Sequence, residues 1–443
     1  MSLPLVARVD SRRGRRVLER LERRGDQVLD PKILQQAAKI VASVRKGGDR
    51  ALLAAVRRYD RTPVDTIDDL RLEPRRIDRR RLPAGFEHAF ERALAAVERY
   101  HEAQVHGGFR LEEDGRLLEE IRRPLRRVGV YIPGGRATYP SSVLMTVVPA
   151  LLAGVEEIVV ATPMAGWRRS PVLRHAFERL GVQEVWGMGG AHAVAALAHG
   201  TETIERVDKI VGPGNAWVTA AKHLVSTHVA IDSLAGPSEV VIVATGDADP
   251  VLVAADLLAQ AEHDPLATAV LVTDDKRLAQ AVPAEIKRQL RALRAGDDQS
   301  VACATTARTS LAERGAVLVV DSMEQGLEVA DRLAPEHLQL IGAAAEELSP
   351  RVRNAGAIFV GAATPVVFGD YLAGPSHVLP TGGAARFSSA VGVEDFVRRS
   401  HVVRFDAAAA ARRAAAAANL ADVEGLPAHA ASARLRTAQG GGR

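Results

Sequence analysis

The stretch Val207-Asp-Lys-Ile-Val-Gly-Pro-Gly-Asn215 decides the fold. A short β-branched run stops in a glycine turn, and residues 216–227 go on with helical spacing. The same order appears upstream. Val128-Gly-Val-Tyr-Ile132 leads to Pro133-Gly134-Gly135 and a helix from Ser141. Val155-Glu-Glu-Ile-Val-Val-Ala-Thr162 reads as a buried strand, and a helix over 171–180 follows. Glu184-Val-Trp186 then runs into Gly187-Met-Gly-Gly190 and a helix over 191–199. Strand, glycine turn and helix in alternation predict a parallel sheet covered on both faces. This first α/β domain spans 126–235.

The pattern restarts at Glu239-Val-Val-Ile-Val-Ala244 and recurs at 269–273, 316–320 and 356–360, which gives a second α/β domain over 236–378. Around these two, residues 1–25 read as an N-terminal helical extension. Residues 26–125 read as helices packing on the second α/β domain, and residues 379–443 as a helical tail. The Ala-rich helix from 406 and the last helix after Gly425-Leu-Pro427 bury little by themselves and need a surface to dock on; Gly440 to Gly442 should fray. The fold class is therefore α/β, with two doubly wound, incomplete Rossmann-like parallel-sheet domains and small helical N- and C-terminal extensions.

Composition excludes several function classes. The 443 residues are 47% hydrophobic and 25% charged, as in ordinary globular proteins. The 58 Lys+Arg nearly balance the 54 Asp+Glu. The runs Arg12-Arg13, Arg15-Arg16 and Arg79-Arg80-Arg81 offer contacts to RNA, but a solvated helix face is the commoner reading. Aromatic content of 4% argues against base stacking, so no nucleic-acid partner is expected. The one cysteine, Cys303, forbids an intramolecular disulfide and a Cys-based zinc finger. No stretch reaches 18 consecutive apolar residues and no signal-like segment opens the chain, so a cytoplasmic protein without membrane contact is expected.

Several stretches carry chemistry. Gly187–Gly190 approximates a dinucleotide fingerprint, although Ala193 takes its last place and no acid follows at the expected distance. A tight strand-to-helix turn explains it equally well; three such turns at corresponding strand ends favour a ligand. In Asp256-Leu-Leu-Ala-Gln-Ala-Glu-His-Asp264, Gln260 and His263 lie three apart and share one face of a helix that starts near Asp249-Pro250. Glu336-His337 pairs an acid with an imidazole, two proton-transfer groups of different natural pKa. Asp370 and His377 fall in a glycine-bearing loop, and His429 opens the last helix. Gln260, His263, Asp370 and His429 make an oxygen/nitrogen donor set without thiolate, which suits zinc and leaves room for substrate atoms. Their separation in the chain leaves convergence open, as it leaves open the satisfied structural histidine. Residue by residue, the reading is a nucleotide-using α/β enzyme with a candidate metal.

These segments also carry a resemblance. Val130-Tyr-Ile-Pro-Gly-Gly135, Tyr139-Pro-Ser-Ser-Val-Leu-Met145, Val207–Asn215, Ala230-Ile-Asp-Ser-Leu-Ala-Gly-Pro-Ser-Glu-Val240, Gln260-Ala-Glu-His263, Ala334-Pro-Glu-His-Leu338, Gly369-Asp-Tyr371 and His377-Val-Leu-Pro-Thr381 are similar to the histidinol dehydrogenase family. The match runs over about 30–435 in order and spacing. It implies oxidation of L-histidinol to L-histidine through the aldehyde, with zinc and two NAD in turn, as the last step of histidine biosynthesis. It further implies Gln260, His263, Asp370 and His429 as zinc ligands that also meet the substrate, His337 as general base, and Glu336 as the group that activates water. Ser238 and Glu424 match substrate positions; Tyr131, His192 and Asn215 match cofactor positions. Family members are homodimers whose C-terminal segment crosses over, so Glu424 and His429 would complete the partner's site. Two departures stand out. His192 replaces a usual Gln in Gly189-Gly-Ala-His192, and Ser376 replaces a common Asn. An imidazole lacks the paired donor and acceptor of an amide.

Rival readings are a related zinc/NAD dehydrogenase of another small alcohol, such as a sulfonated propanediol, and a zinc hydrolase. The hydrolase gives Tyr131 and Asn215 no role. A catalytically inactive, Arg-mediated RNA-binding protein is a third.

Overall fold

The computed structural model describes residues 4–74, 78–134 and 139–437; Gly135 and the Gly440–Gly442 end lie outside them. Two compact units divide the chain: residues 1–104 with 126–396, and residues 105–125 with 397–443.

The larger unit holds two six-stranded sheets. In the first, the order is Arg71–Leu72, Glu184–Trp186, Glu157–Ala161, Arg127–Tyr131, Lys209–Val211, Ala230–Ile231. In the second it is Leu5–Arg8, Ala316–Val319, Thr268–Thr273, Glu239–Ala244, His337–Ile341, Ala357–Val360. The winding is the same in both. Three successive strands step outward, then the chain returns across the first of them and steps the other way. All pairings are parallel except that of Arg71–Leu72. Central strands such as Thr268–Thr273 and Glu239–Ala244 are buried along their whole length, as expected of parallel strands with helices on both faces. The doubly wound α/β expectation holds.

Three expectations need correction. Residues 1–25 are more than a helical extension: Leu5–Arg8 pairs with Ala316–Val319 as the edge strand of the second sheet. The helices of 26–125 do not lie on that sheet. Helix Pro31–Ala55 packs on Gly190–His199 and Ala216–Val225, and Phe86–Glu102 packs on Pro140–Ala153, so both cover the first sheet. Gly48 lies at a bend within the first of these helices. It has φ +49, and any Cβ there would run into the Glu202 carboxylate, which accepts the Asp49 N–H at 2.7 Å. The tail, finally, is not all helix. Val397–Phe405 is a strand, and residues 379–396 belong to the larger unit. Sequence periodicity cannot reveal edge strands whose partner lies hundreds of residues away.

The smaller unit is an antiparallel sheet of Arg110–Glu113, Arg116–Pro124 and Val397–Phe405, followed by helices Ala407–Val423 and Pro427–Arg434. Its hairpin turns at Asp114–Gly115, both with positive φ (50° and 70°), the geometry that matches strand twist. Asp114 is held by Arg412 and Arg413, each at 2.7 Å. The two helices meet through Ala418, Ala421 and Ala430, a core of three methyl groups. Leu420, Val423 and Leu435 remain exposed. No described helix is long and apolar enough to cross a membrane.

Candidate active site

Glu239 and His337 each open a strand of the second sheet, side by side at its amino end. The His337 Nδ1 lies 2.8 Å from the Glu239 carbonyl oxygen. A carbonyl only accepts, so Nδ1 carries the hydrogen and Nε2 keeps its lone pair. Burial pushes the His337 imidazole below its ordinary pKa; Asp370 and the Glu239 bond oppose this, while His377 and His263 add to it. The ring is therefore a neutral base at neutral pH. Next to it, Glu336 Oε2 accepts the Glu239 N–H at 2.7 Å and stands 3.5 Å from His337 Nδ1. Complete burial drives the Glu336 carboxyl well above the carboxylate range, and its bond from Glu239 N–H only partly offsets that. A raised carboxyl is better matched to proton transfer near neutral pH.

The Glu239 side chain fixes this arrangement. Both its oxygens meet the Arg24 guanidinium at 2.6 Å, with the two side chains 4% and 5% exposed. Arg24 also donates to the carbonyls of Leu21 and Leu333, and Glu239 Oε1 accepts from Gly382 N–H. A buried ion pair persists only with such surrounding hydrogen bonds. Neither residue stood out in the sequence. Arg24 was hidden among solvated arginines, although one carboxylate heading an all-apolar strand is a usable sign that a cation waits in the core.

The expected metal ligands of the larger unit collect around this pair. Helix Pro250–Ala261 is capped by Asp249, as expected, but ends before His263, which lies on the turn after it and is held by a 3.4 Å bond from its N–H to the Gln260 carbonyl. The three-residue spacing thus survives without a full helical turn. Asp370 belongs to the short helix Val366–Tyr371 and not to a loop. His377 Nδ1 donates to the Asp370 carbonyl at 3.0 Å, and its Nε2 lies 3.4 Å from Ser142 Oγ. Asp370 and His263 are both within electrostatic reach of His337 and His377. Ser238 directly precedes Glu239. Ser376 replaces the common Asn without loss of pairing, since its Oγ donates to the Met145 carbonyl at 3.1 Å.

Among the described residues no group of three His, Cys, Asp or Glu is placed to hold a metal ion. The expected set contributes only His263 and Asp370 of those types here, with Gln260 beside them. Gln260 is 5% exposed and its amide makes no hydrogen bond to another described residue. An amide oxygen, an imidazole and a carboxylate without thiolate are donors that zinc accepts, so the chemistry of this set fits a zinc ion. The remaining expected residues, Glu424 and His429, lie in the smaller unit. Glu424 caps helix Ala407–Val423, His429 stands in the first turn of Pro427–Arg434, and both are exposed.

The three glycine turns follow the carboxyl ends of the first sheet's strands. Gly134 and Gly189 face the Pro163 ring, where an added Cβ would come within 3.0 and 2.9 Å. Tyr131 ends strand Arg127–Tyr131, and its hydroxyl accepts the Gly190 N–H at 3.1 Å. Gly189 N–H goes to Asp60 Oδ2 at 2.9 Å. The Gly187–Gly190 turn is thus not the open pyrophosphate cradle its fingerprint suggested, because two of its amides already have protein partners. His192 Nε2 also faces Asp60 Oδ2, at 3.1 Å, and its side chain is only 2% exposed. Asn215 caps its own helix through Oδ1, to Trp217 and Val218 N–H, and stays exposed with its amide nitrogen uncommitted.

Residues 22–437 match the family model described as histidinol dehydrogenase. The chain is 44% identical over 405 residues to a histidinol dehydrogenase of Geobacter sulfurreducens, covering 91% of this chain and 92% of that one. It is 45% identical over 411 residues to one of Methylococcus capsulatus, covering 92% of each. The crystal structure of histidinol dehydrogenase from Elizabethkingia anophelis superposes with a TM-score of 0.85 at 28% identity, over 98% of both chains. The chain belongs to the histidinol dehydrogenase family, whose enzymes are NAD-dependent dehydrogenases of the last step of histidine biosynthesis.

Proposed function

We propose that this chain oxidises L-histidinol to L-histidine through L-histidinaldehyde, using two NAD in turn. The observation that carries this reading is the buried His337–Glu239–Glu336 arrangement with Asp370 and His263 around it. His337 Nε2 takes the proton from the substrate hydroxyl, and later from the aldehyde hydrate. Glu336 in its carboxylate form, made more basic by burial, takes a proton from the water that forms the hydrate. The burial of both side chains keeps these transfers away from bulk solvent. Gln260, His263 and Asp370 would hold zinc together with the partner subunit's His429. Bound there, zinc would orient the substrate's amine and imidazole, and NAD beside Tyr131 and Asn215 would take the hydride. Ser238 and the partner subunit's Glu424 contact the substrate.

The small alanine core of the tail and its exposed Leu420, Val423 and Leu435 support a homodimer in which each tail crosses over. NADH formation with L-histidinol, run beside a sulfonated propanediol, tests the substrate. Turnover of the sulfonate alone would make this a related dehydrogenase, and chelator-sensitive hydrolysis without NAD would make it a hydrolase. Mixing inactive His263→Ala and His429→Ala dimers should restore part of the activity; no recovery after verified subunit exchange refutes the shared site.

A further inference from the structure

The Gly187–Gly190 turn lacks the acidic residue that usually follows such a turn in sequence, at the end of the next strand. Tertiary structure supplies one from upstream. Asp60 ends the π-helical turn Val56–Asp60, far before the turn in sequence. Its Oδ2 is doubly committed, to Gly189 N–H at 2.9 Å and His192 Nε2 at 3.1 Å. Its Oδ1 has no hydrogen bond to any described residue, and the side chain is 13% exposed. His192 stacks against Tyr59 at 6.1 Å, and the Arg58 guanidinium lies 5.3 Å from the Tyr59 ring. The imidazole and the Gly189 N–H therefore both hold Oδ2, which leaves Oδ1 without a partner among the described residues.

A carboxylate lying on the turn repels a phosphate and attracts hydroxyl donors. We propose that Asp60 is the cofactor-discriminating residue of this enzyme. Its Oδ1, unpaired among the described residues, accepts a ribose hydroxyl of the dinucleotide and rejects a 2′-phosphorylated ribose, and His192 is the positioning residue that holds the carboxylate. The inference rests on the reading that a dinucleotide binds at the carboxyl end of the first sheet. It also gives the departure from Gln at 192 a physical role. The ring reaches Asp60 in place of the ligand.

The test is equilibrium binding of NADH and NADPH to the full-length, zinc-loaded protein, followed by cofactor fluorescence without substrate. Wild type should bind NADH at least about tenfold tighter than NADPH, the scale of one hydrogen bond to a charged group. Asp60→Asn keeps an acceptor for Gly189 N–H but removes the charge. Its preference should fall to within about threefold, chiefly through weaker NADH binding, with an unchanged melting curve. His192→Ala, which removes the side chain holding the carboxylate, should lose part of the preference. A wild-type ratio in Asp60→Asn overturns the inference, as does a wild type that binds both cofactors alike. A wild type that binds neither overturns the cofactor reading itself, and this inference with it.

Discussion

The two parallel sheets of the larger unit share one winding, yet their candidate site residues lie at opposite edges. In the first sheet every candidate cofactor residue follows the carboxyl end of a strand: Tyr131, the turn before His192, and Asn215. In the second sheet the candidate reactive groups open their strands, as Glu239 and His337 do, or lie where helix Pro250–Ala261 has returned to the amino edge, as Gln260 and His263 do. At the carboxyl edge of the second sheet, the turn after His337–Ile341 is closed. Gly342 N–H is taken by Glu346 Oε1 at 3.1 Å, and the Thr245 side chain fills the space a Cβ at Gly342 would need. The rule that doubly wound sheets bind ligands at carboxyl strand ends thus describes one sheet and misses the other. Winding creates two edges at each switch point, and side-chain chemistry chooses between them.

His337→Asn removes the group that defines the amino edge. It should lower kcat by roughly 10²–10⁴-fold, the usual worth of a general base, while metal analysis finds bound zinc unchanged. A loss under tenfold would shift the chemistry elsewhere. Arg24→Met leaves the Glu239 carboxylate buried without its cation and should cost about 3–5 kcal/mol in denaturant unfolding. A change within error would mean the edge is held by backbone alone.

The pH profile gives a finer test. Burial lowers the His337 pKa in the folded protein, so the imidazole stays unprotonated further into acid than a free one. The acid limb of kcat/KM should then fall below the ordinary histidine value of about 6.5. By linkage, the stability that the buried neutral ring confers above that value is lost as pH drops through it, because the unfolded chain takes up the proton first. An acid limb above 7 contradicts this. The smallest effect is expected at the closed turn. Glu346→Gln preserves an acceptor for Gly342 N–H and should leave kcat/KM within about twofold and stability within about 0.5 kcal/mol. A large loss of activity there would break the contrast between the edges.

Much of the first sheet's site was legible because glycine turns mark strand ends in the one-dimensional pattern. The second sheet's site was legible only as a list of residue types. His337 followed a helix and a proline in sequence, and nothing local announced that it opens a buried central strand. Arg24 and Asp60 were invisible, for they act through partners 215 and 129 residues away. The smaller unit's strands were missed for the same reason, since Val397–Phe405 pairs with Arg116–Pro124 across most of the chain.

By itself, the sequence determined the alternation of strands and helices, hence two parallel sheets, because hydrophobic period and glycine turns are local properties. It also supplied the donor atoms and, through family resemblance, their roles. Tertiary structure alone decided which edge of each sheet carries the candidate site residues, which tautomer His337 adopts and which turn amides are already spent. Those outcomes depend on burial and on hydrogen bonds between distant segments, and such energies exist only once the chain has folded.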